Sequence, residues 1–376
     1  MERGARVGVT TVDGGTGPGC GARRGRPVNR SVAALATVVA AALAAGCSAS
    51  SAPVDDARGA GHRPGGHRSD GASPAPAAPS AGRPERAPGG ADHDPGGPGL
   101  STPPPAGPLL AVKIDNVRAA RPQTGLDAAD IVYVEPVEGG LSRLMAVYAT
   151  KLPKAVGPVR SARESDLELL RQFDRPVLAF SGAQRKLLPL IGEAPLKAAT
   201  PDAAPDAYYR SADGQAPHNL YVRPGRLLPS APGAVALTTG FRFGAAPAGG
   251  TPRTSRTVRY PAARFTFEWS PERRRWLVST DGRATTTADG RRAAPATVVV
   301  QYMRVRASAY HDSLGNHTPY PETVGAGKAE VLRDGRSYAV RWKRPAAEEG
   351  TRFTTNDGRP VAFAPGQVWV VFAKAP

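Results

Sequence analysis

The stretch 48–108 limits most strongly where this chain can fold. It carries 13 prolines and 12 glycines among 61 residues, with almost no large apolar side chain. Such a stretch cannot bury enough apolar surface to offset the chain entropy that folding would remove. We therefore predict a disordered tether, with an end-to-end distance of roughly 40 Å if it behaves as a flexible coil. Folding is then confined to residues 109–376.

Residues 1–47 are predicted to be a signal peptide with a lipobox. A basic flank, including Arg30, precedes an apolar run over 32–45 that ends in Ala-Ala-Gly-Cys. The run is too short to span a bilayer as a helix, which favours a cleaved signal. The ending resembles a bacterial lipobox, in which Cys47 is acylated and anchors the chain at the extracytoplasmic face of the cell membrane. The alternative is a plain secretory signal with an incidental cysteine.

Cysteine usage limits the chemistry of the folded part. The two cysteines of the chain are Cys20 and Cys47, and both precede the tether. Residues 109–376 therefore contain no disulfide, no thiol nucleophile and no thiolate metal ligand. Their stability has to come from the burial of apolar surface.

Residues 109–243 show a mixed α/β pattern, so the predicted fold class is α+β. Short apolar runs predict strands at Leu109–Ile114, Ile131–Val134 and Leu141–Tyr148, and Glu138-Gly139-Gly140 predicts a hairpin turn between the last two. Ser161 followed by Glu164 fits a capping box at a helix start. A second short helix is expected over Gln184–Ile191.

Residues 253–376 predict a mostly β domain, beyond a Gly/Ala/Pro-rich joint over 244–252. Seven short strand patterns are separated by Asp-Gly dipeptides, which tolerate positive φ and favour tight turns. The dipeptides are Asp281-Gly282, Asp289-Gly290, Asp334-Gly335 and Asp357-Gly358.

Several segments resemble one bacterial family. They are V-E-G-G-L-S-R-L-M-A-V-Y (137–148), V-G-P-V-R-S-A-R (156–163), Pro217-His218-Asn219 and a closing run from Trp342 to Val370. Together they resemble the YerB-like family of bacterial lipoproteins over roughly 109–372. The resemblance implies a lipoprotein with an N-terminal and a C-terminal domain, both of unknown function. It supplies no reaction and no catalytic residue.

The segment around the predicted helix start is the candidate ligand site. Arg160, Ser161 and Arg163 lie where free amides and two guanidinium groups could bind a carboxylate or phosphate. The alternative is internal pairing of these arginines with nearby acidic residues. Those acidic residues are Asp115, Asp130, Glu135 and Glu138.

The same acidic residues support a second hypothesis. Asp115, Glu135 and Glu138 end strand-like runs and could act as a paired acid and base in glycan hydrolysis. His218 could activate a serine, but none of Ser161, Ser181 and Ser211 lies in a G-x-S-x-G elbow. A hydrogen-bonded structural role for His218 is the alternative.

No cofactor or metal site is predicted. The chain has no P-loop, no G-x-G-x-x-G, no H-E-x-x-H and no EF-hand loop. His311-Asp312 and His317 could hold a metal, but a solvated loop is the usual outcome of such spacing. These absences disfavour nucleotide enzymes and zinc peptidases.

Charge indicates partners. Residues 241–376 carry 22 Lys and Arg against 11 Asp and Glu, and arginines from Arg253 to Arg292 could form a face for a polyanion. In an exported protein that partner is an anionic wall polymer or lipid headgroup, so nucleic acid is excluded. The alternative is arginine spread over a solvated surface.

We expect a membrane-anchored binding or scaffold protein of the cell envelope, acting on a ligand or another envelope protein, with an envelope hydrolase as the alternative.

Overall fold

The structure, a computed structural model, describes residues 107–312 and 315–376. The predicted signal peptide, Cys47 and the tether up to residue 106 lie outside the described residues. Within the described ranges, no helix has the length and apolar character needed to cross a membrane.

Strands dominate the described residues. Those before residue 253 are β1 (Leu110–Asp115), β2 (Ile131–Pro136), β3 (Ser142–Tyr148), β4 (Val177–Ala179), β5 (Lys197–Ala199), β6 (Tyr208–Arg210), β7 (Leu220–Val222), β8 (Arg242–Phe243) and β9 (Thr251–Pro252). The later ones are β10 (Ser255–Arg259), β11 (Arg264–Ser270), β12 (Arg275–Thr280), β13 (Arg283–Ala284), β14 (Thr297–Met303), β15 (Val305–His311), β16 (His317–Pro321), β17 (Gly325–Arg333), β18 (Arg336–Arg344), β19 (Arg352–Thr354), β20 (Ala362–Phe363) and β21 (Val368–Lys374).

Helices are few and short in the described part of the chain. The α-helices are α1 (Glu164–Leu170) and α2 (Leu188–Glu193). The 3-10 turns are Arg118–Ala120, Leu126–Ala128, Glu138–Gly140, Arg185–Leu187, Pro205–Ala207, Pro224–Arg226 and Ala234–Ala236. The fold is thus mostly β, and a separate mixed α/β domain over 109–243 stays a prediction.

One 11-stranded sheet draws strands from both halves of the folded chain. Its order is β19-β18-β17-β14-β21-β2-β3-β1-β4-β5, with β9 paired to β18. The last strand, β21, lies between β14 and β2 and is parallel to both. The C-terminal segment therefore joins the two halves through backbone hydrogen bonds. The domain boundary at 244–252 stays a prediction.

Both faces of this sheet are covered, which explains why its central strands are apolar along their whole length. Successive residues of a strand point to opposite faces. On one face of the sheet, Val112 and the neighbouring side chains pack with Phe265, Phe267 and Trp276 from the four-stranded sheet β10-β11-β12-β13. On the opposite face, Ala111 and the neighbouring side chains pack with Leu169 and other residues of the helical segments.

The predicted hairpin and two of the predicted Asp-Gly turns are confirmed. β2 and β3 pair antiparallel, and the turn between them has positive φ at Gly139 and Gly140. A Cβ on Gly140 would lie 2.6 Å from the Cβ of Pro261, so the turn also requires a glycine for space. Asp281-Gly282 and Asp334-Gly335 each have positive φ at both residues, as type I′ hairpin turns require.

The predicted capping box of Ser161 and Glu164 is wrong. The helix begins at Glu164, two residues later than a Ser161 cap would place it, and its N-cap is Arg163. Oδ2 of Asp166 accepts a hydrogen bond from the Arg163 amide at 2.7 Å, while Glu164 accepts one from Ser308 of β15. The side chain of Asp166, three residues after the cap, therefore closes the helix start.

Candidate functional site

Charged side chains meet on the helix side of the sheet, where β1 and β2 end and β3 begins. Arg143 of β3 is the cross-strand partner of both Asp115 in β1 and Glu135 in β2. Because the side-chain period of a strand is two, all three residues project to the face that carries Met145 and Tyr133. The sheet register thus brings a guanidinium between two carboxylates.

One of those two acidic side chains, Glu135, contacts the buried side chain of Lys113. Its Nζ lies 2.8 Å from Oε2 of Glu135 and 2.6 Å from Oδ1 of Asp166, and all three side chains are almost fully buried. Burial raises the pKa of Glu135 to about 8, although Lys113 lowers it. One amino group faces two buried carboxyl groups, so Lys113 does not fully offset the effect of burial on Glu135.

Two other side chains, those of Arg160 and His218, contact Asp115. The segment before α1 runs beside the end of β1, where the Arg160 amide donates to the Lys113 carbonyl at 2.8 Å. This places Nε of Arg160 3.2 Å from Oδ2 of Asp115, and Nδ1 of His218 lies 2.8 Å from the same oxygen. The contact to Asp115 is the one hydrogen bond of the His218 side chain among the described residues.

Glu138 pairs with Arg163. Nε of Arg163 lies 2.6 Å from Oε1 of Glu138, and Nη2 lies 2.9 Å from Oε2, which is a bidentate pair. Thr318 of β16 also donates to Glu138. Although burial raises it, the pKa of Glu138 lies below its ordinary value because of the hydrogen bonds and charge of Arg163 and the bond from Thr318.

Arg143 is left without an anionic partner. Within the described residues it has one hydrogen bond, from Nη1 to the Ser161 carbonyl at 3.1 Å, and no carboxylate within ion-pair distance. Only 9% of the residue is exposed. Burial, together with the charges of Arg163 and Arg160, lowers the pKa of Arg143 to about 10. It is still a cation at neutral pH.

Arg143 lines a pocket of about 610 Å³, which we call the arginine pocket. Asp115, Glu138, Arg160 and Arg163 also line it. Its other wall comes from the hairpin β15-β16, through Tyr310, His311, Asp312 and Thr318. This volume lies in the range of small-molecule sites. Neither half of the folded chain would form the pocket alone.

The structure brings most of the predicted site residues together. Asp115, Glu138, Arg160, Ser161 and Arg163 line the arginine pocket. Glu135 does not line it and belongs to the buried cluster around Lys113. His218 contacts Asp115 from the direction of a second, smaller pocket. Cys47 lies outside the described residues.

Sequence reasoning missed Arg143 and Lys113. Each is a single cation inside an otherwise apolar strand, in L-S-R-L-M-A-V and L-A-V-K-I-D. A lone charge in a strand that is buried on both faces has to meet a partner or line a cavity, so the pattern itself was the available signal.

Other candidate residues of the sequence have ordinary surroundings. His311 and His317 are cross-strand partners in the hairpin β15-β16, and each donates a hydrogen bond from Nδ1 to a backbone carbonyl. In the predicted basic face, Arg256 pairs with Glu330 at 2.6 Å and Arg291 pairs with Asp127 at 2.8 Å. Carboxylates thus neutralise part of that face.

Two family models match this chain. Residues 99–236 match the family described as "Protein of unknown function (DUF3048) N-terminal domain". Residues 256–370 match "Protein of unknown function (DUF3048) C-terminal domain". Fold and matches together define a mostly β protein of a two-part family without an assigned activity.

The relatives identify the family. Over 65 residues the chain is 46% identical to "Putative lipoprotein YerB" of Bacillus subtilis (strain 168), a stretch that spans 17% of this chain and 20% of that relative. The crystal structure of YerB protein from Bacillus subtilis has a TM-score of 0.59 to this chain at 21% identity, covering 71% of this chain and 90% of that one. That likeness shows a shared fold. The chain belongs to the YerB-like family.

Proposed function

We propose that this protein is a lipid-anchored binding protein of the cell envelope, which holds a small ligand in the arginine pocket by an anionic group paired with Arg143. The observation that carries the proposal is the buried guanidinium of Arg143. Among the described residues it has one hydrogen bond, to the uncharged carbonyl of Ser161, and it lines a pocket of ligand size. A buried charge without a counter-ion is unfavourable, so an incoming anion gains a strong interaction there.

The neighbouring ion pairs favour Arg143 over Arg160 and Arg163 as the ligand contact. Arg160 and Arg163 are already bonded to Asp115 and Glu138, so each would have to exchange a partner in order to bind a ligand. Arg143 has no ion pair among the described residues that a ligand would have to break. A carboxylate or phosphate oxygen fits its planar donor fork.

The acidic wall of the pocket narrows the ligand class. Glu164 lines the same pocket, and its charge would repel a polymer of uniform negative charge. A ligand that carries an ammonium or several hydroxyl groups beside its anionic group complements both walls. This favours a small zwitterion, such as an amino acid or short peptide, over an anionic wall polymer at this site.

The proposal also includes the cellular location of the protein. Gly46-Cys47 follows a short apolar run, and a relative in the same family is named a lipoprotein. Lipid attachment at Cys47 would place the folded residues outside the cell membrane. The predicted tether would separate them from the lipid.

The electrostatics favour binding over hydrolysis. A glycan hydrolase needs one carboxylic acid with a raised pKa facing an open cleft. In the arginine pocket the pKa of Glu138 is lowered, whereas Glu135, whose pKa is raised, is buried with Lys113 away from the pocket. Glu138 faces the pocket and Glu135 has the raised pKa, so neither residue combines the two properties that a catalytic acid needs.

Calorimetric titration of the full chain carrying Cys47→Ser tests the proposal. The probes are acetate, inorganic phosphate, glycine and alanyl-alanine, measured on the parent chain, on Arg143→Met and on the surface control Arg341→Met. Binding of a probe that Arg143→Met abolishes and Arg341→Met leaves intact is the expected result. Equal affinity of all three proteins for every probe that binds would refute Arg143 as the ligand contact, and turnover of a glycan by the parent chain would favour the hydrolase.

A further inference from the structure

A second basic site lies where the chain enters the folded body, and we call it the basic surface. Lys151, Lys154, Arg223 and Arg226 are exposed and line one pocket of about 590 Å³ that has no acidic lining residue. Among the described residues, none of the four has a carboxylate within ion-pair distance, in contrast to Arg256 and Arg291. Asp130, which lies beside Thr150, accepts hydrogen bonds from the Ala149 and Thr150 amides and from the Thr150 hydroxyl.

The entry point of the chain adjoins this surface. A Cβ on Gly107, the first described residue, would lie 3.9 Å from the Cβ of Pro232. Pro232 directly follows Pro229, Ser230 and Ala231, which line the pocket of the basic surface. The predicted tether, which leads back to Cys47, thus joins the folded residues beside four uncompensated cations.

The sheet places this surface opposite the arginine pocket. β1 and β3 pair antiparallel with Leu110 against Tyr148 at one end and Asp115 against Arg143 at the other. The basic surface includes Lys151, just beyond the Tyr148 end, whereas the arginine pocket includes both residues of the Asp115 end. Five strand steps of about 3.4 Å separate the two ends by roughly 17 Å.

We propose that the basic surface docks on anionic phospholipid headgroups, so that the arginine pocket faces away from the membrane. Clustered lysines and arginines bind an anionic bilayer through their summed attraction, which decays within a Debye length. A tether makes docking intramolecular, so a weak contact suffices to orient the body. The proposal needs neither a ligand in the arginine pocket nor its identity, and it fails or stands separately from the binding function.

Vesicle cosedimentation of the full chain carrying Cys47→Ser tests the docking. The variant Lys151→Gln/Lys154→Gln/Arg226→Gln removes three charges from the basic surface and leaves Arg223, which stacks on Tyr209. The control Lys328→Gln/Arg341→Gln/Lys343→Gln removes three exposed charges from β17 and β18. Both variants have the same net charge, and equal thermal midpoints establish that both are folded.

The expected result is binding to phosphatidylcholine vesicles only when they contain phosphatidylglycerol, weakened about a hundredfold by the basic-surface variant at about fivefold per residue. The control variant should bind like the parent. Equal weakening by both variants would overturn the proposal, because it would show a response to net charge alone. Binding that soluble glycerol phosphate abolishes at low concentration would also overturn it, in favour of a free-phosphate site.

Fluorescence quenching tests the orientation. A single cysteine is placed at Lys154 or at Leu141, which lines the arginine pocket and is exposed, in a chain whose native cysteines are serine. Nitroxide-labelled lipid should quench a probe at position 154 and leave one at position 141 unaffected. Equal quenching at both positions would refute the outward-facing pocket.

Discussion

Replacing Arg143 by methionine is expected to stabilise the protein while removing its ability to bind an anion. Burial and two neighbouring cations lower the pKa of Arg143 from 12.5 to about 10. That change corresponds to about 3 kcal/mol against the charged form in the folded state. Methionine has a similar shape and no charge, so it removes this cost and loses one hydrogen bond to the Ser161 carbonyl, worth about 1 kcal/mol.

The net gain of about 2 kcal/mol would raise the thermal midpoint by about 4 to 8 °C. Urea titration and scanning calorimetry of the full chain carrying Cys47→Ser measure both quantities. A ligand at about a hundred times its dissociation constant should stabilise the parent protein by about 2.7 kcal/mol and leave Arg143→Met unchanged.

Arg344 provides the matched control, because it is also a buried arginine that has no carboxylate within ion-pair distance in the described part of the chain. Unlike Arg143, it donates to the carbonyls of Glu168, Leu169, Ala347 and Glu349 and to the hydroxyl of Thr323. Arg344→Met should therefore lower the free energy of unfolding by several kcal/mol, since these acceptors lose charged donors. If Arg143→Met destabilises the protein as much as Arg344→Met does, the reasoning about Arg143 is refuted.

Four further predictions follow from particular residues. Arg163→Ala should lower the free energy of unfolding by about 2 to 3 kcal/mol in urea titration, because Glu138 loses its bidentate partner, and a loss within error would contradict the pair. The pKa of Glu135 is raised from 4.5 to about 8, so the folded state retains a proton that the unfolded state releases; stability should fall as pH rises from 4.5 to 8, and Glu135→Gln should flatten this dependence, whereas parallel profiles would show that Glu135 does not titrate there. Cys47→Ser should leave the membrane fraction when the fractionated membranes are washed in high salt, which screens the charges of the basic surface, and a processed variant that still sediments after that wash would exclude the lipid anchor. Limited proteolysis should cleave before residue 107 and then within 244–252, with both fragments eluting together because β21 pairs with β2 and β14; fragments that separate without denaturant would contradict that pairing.

Local sequence patterns determined much of the secondary structure. The hairpin β2-β3 follows from two apolar runs around Glu138-Gly139-Gly140, and the type I′ turns follow from Asp281-Gly282 and Asp334-Gly335. These features depend on backbone preferences within a few residues, so one stretch of sequence is sufficient to predict them. The start of α1 was predicted wrongly because both Ser161 and Arg163 precede acidic residues at cap spacing, and only packing selects between them.

Tertiary structure alone decided how the charges pair. Sequence placed acidic and basic residues near one another, but the register of β1, β2 and β3 set Arg143 between Asp115 and Glu135. Lys113 and Arg160 then pair with those carboxylates, so Arg143 has no counter-ion among the residues that the structure describes. The far wall comes from β15-β16, and Thr318 reaches Glu138 across 180 residues of sequence. Ion pairing depends on distances of a few ångströms between such remote residues, and no periodicity or spacing within one segment encodes those distances.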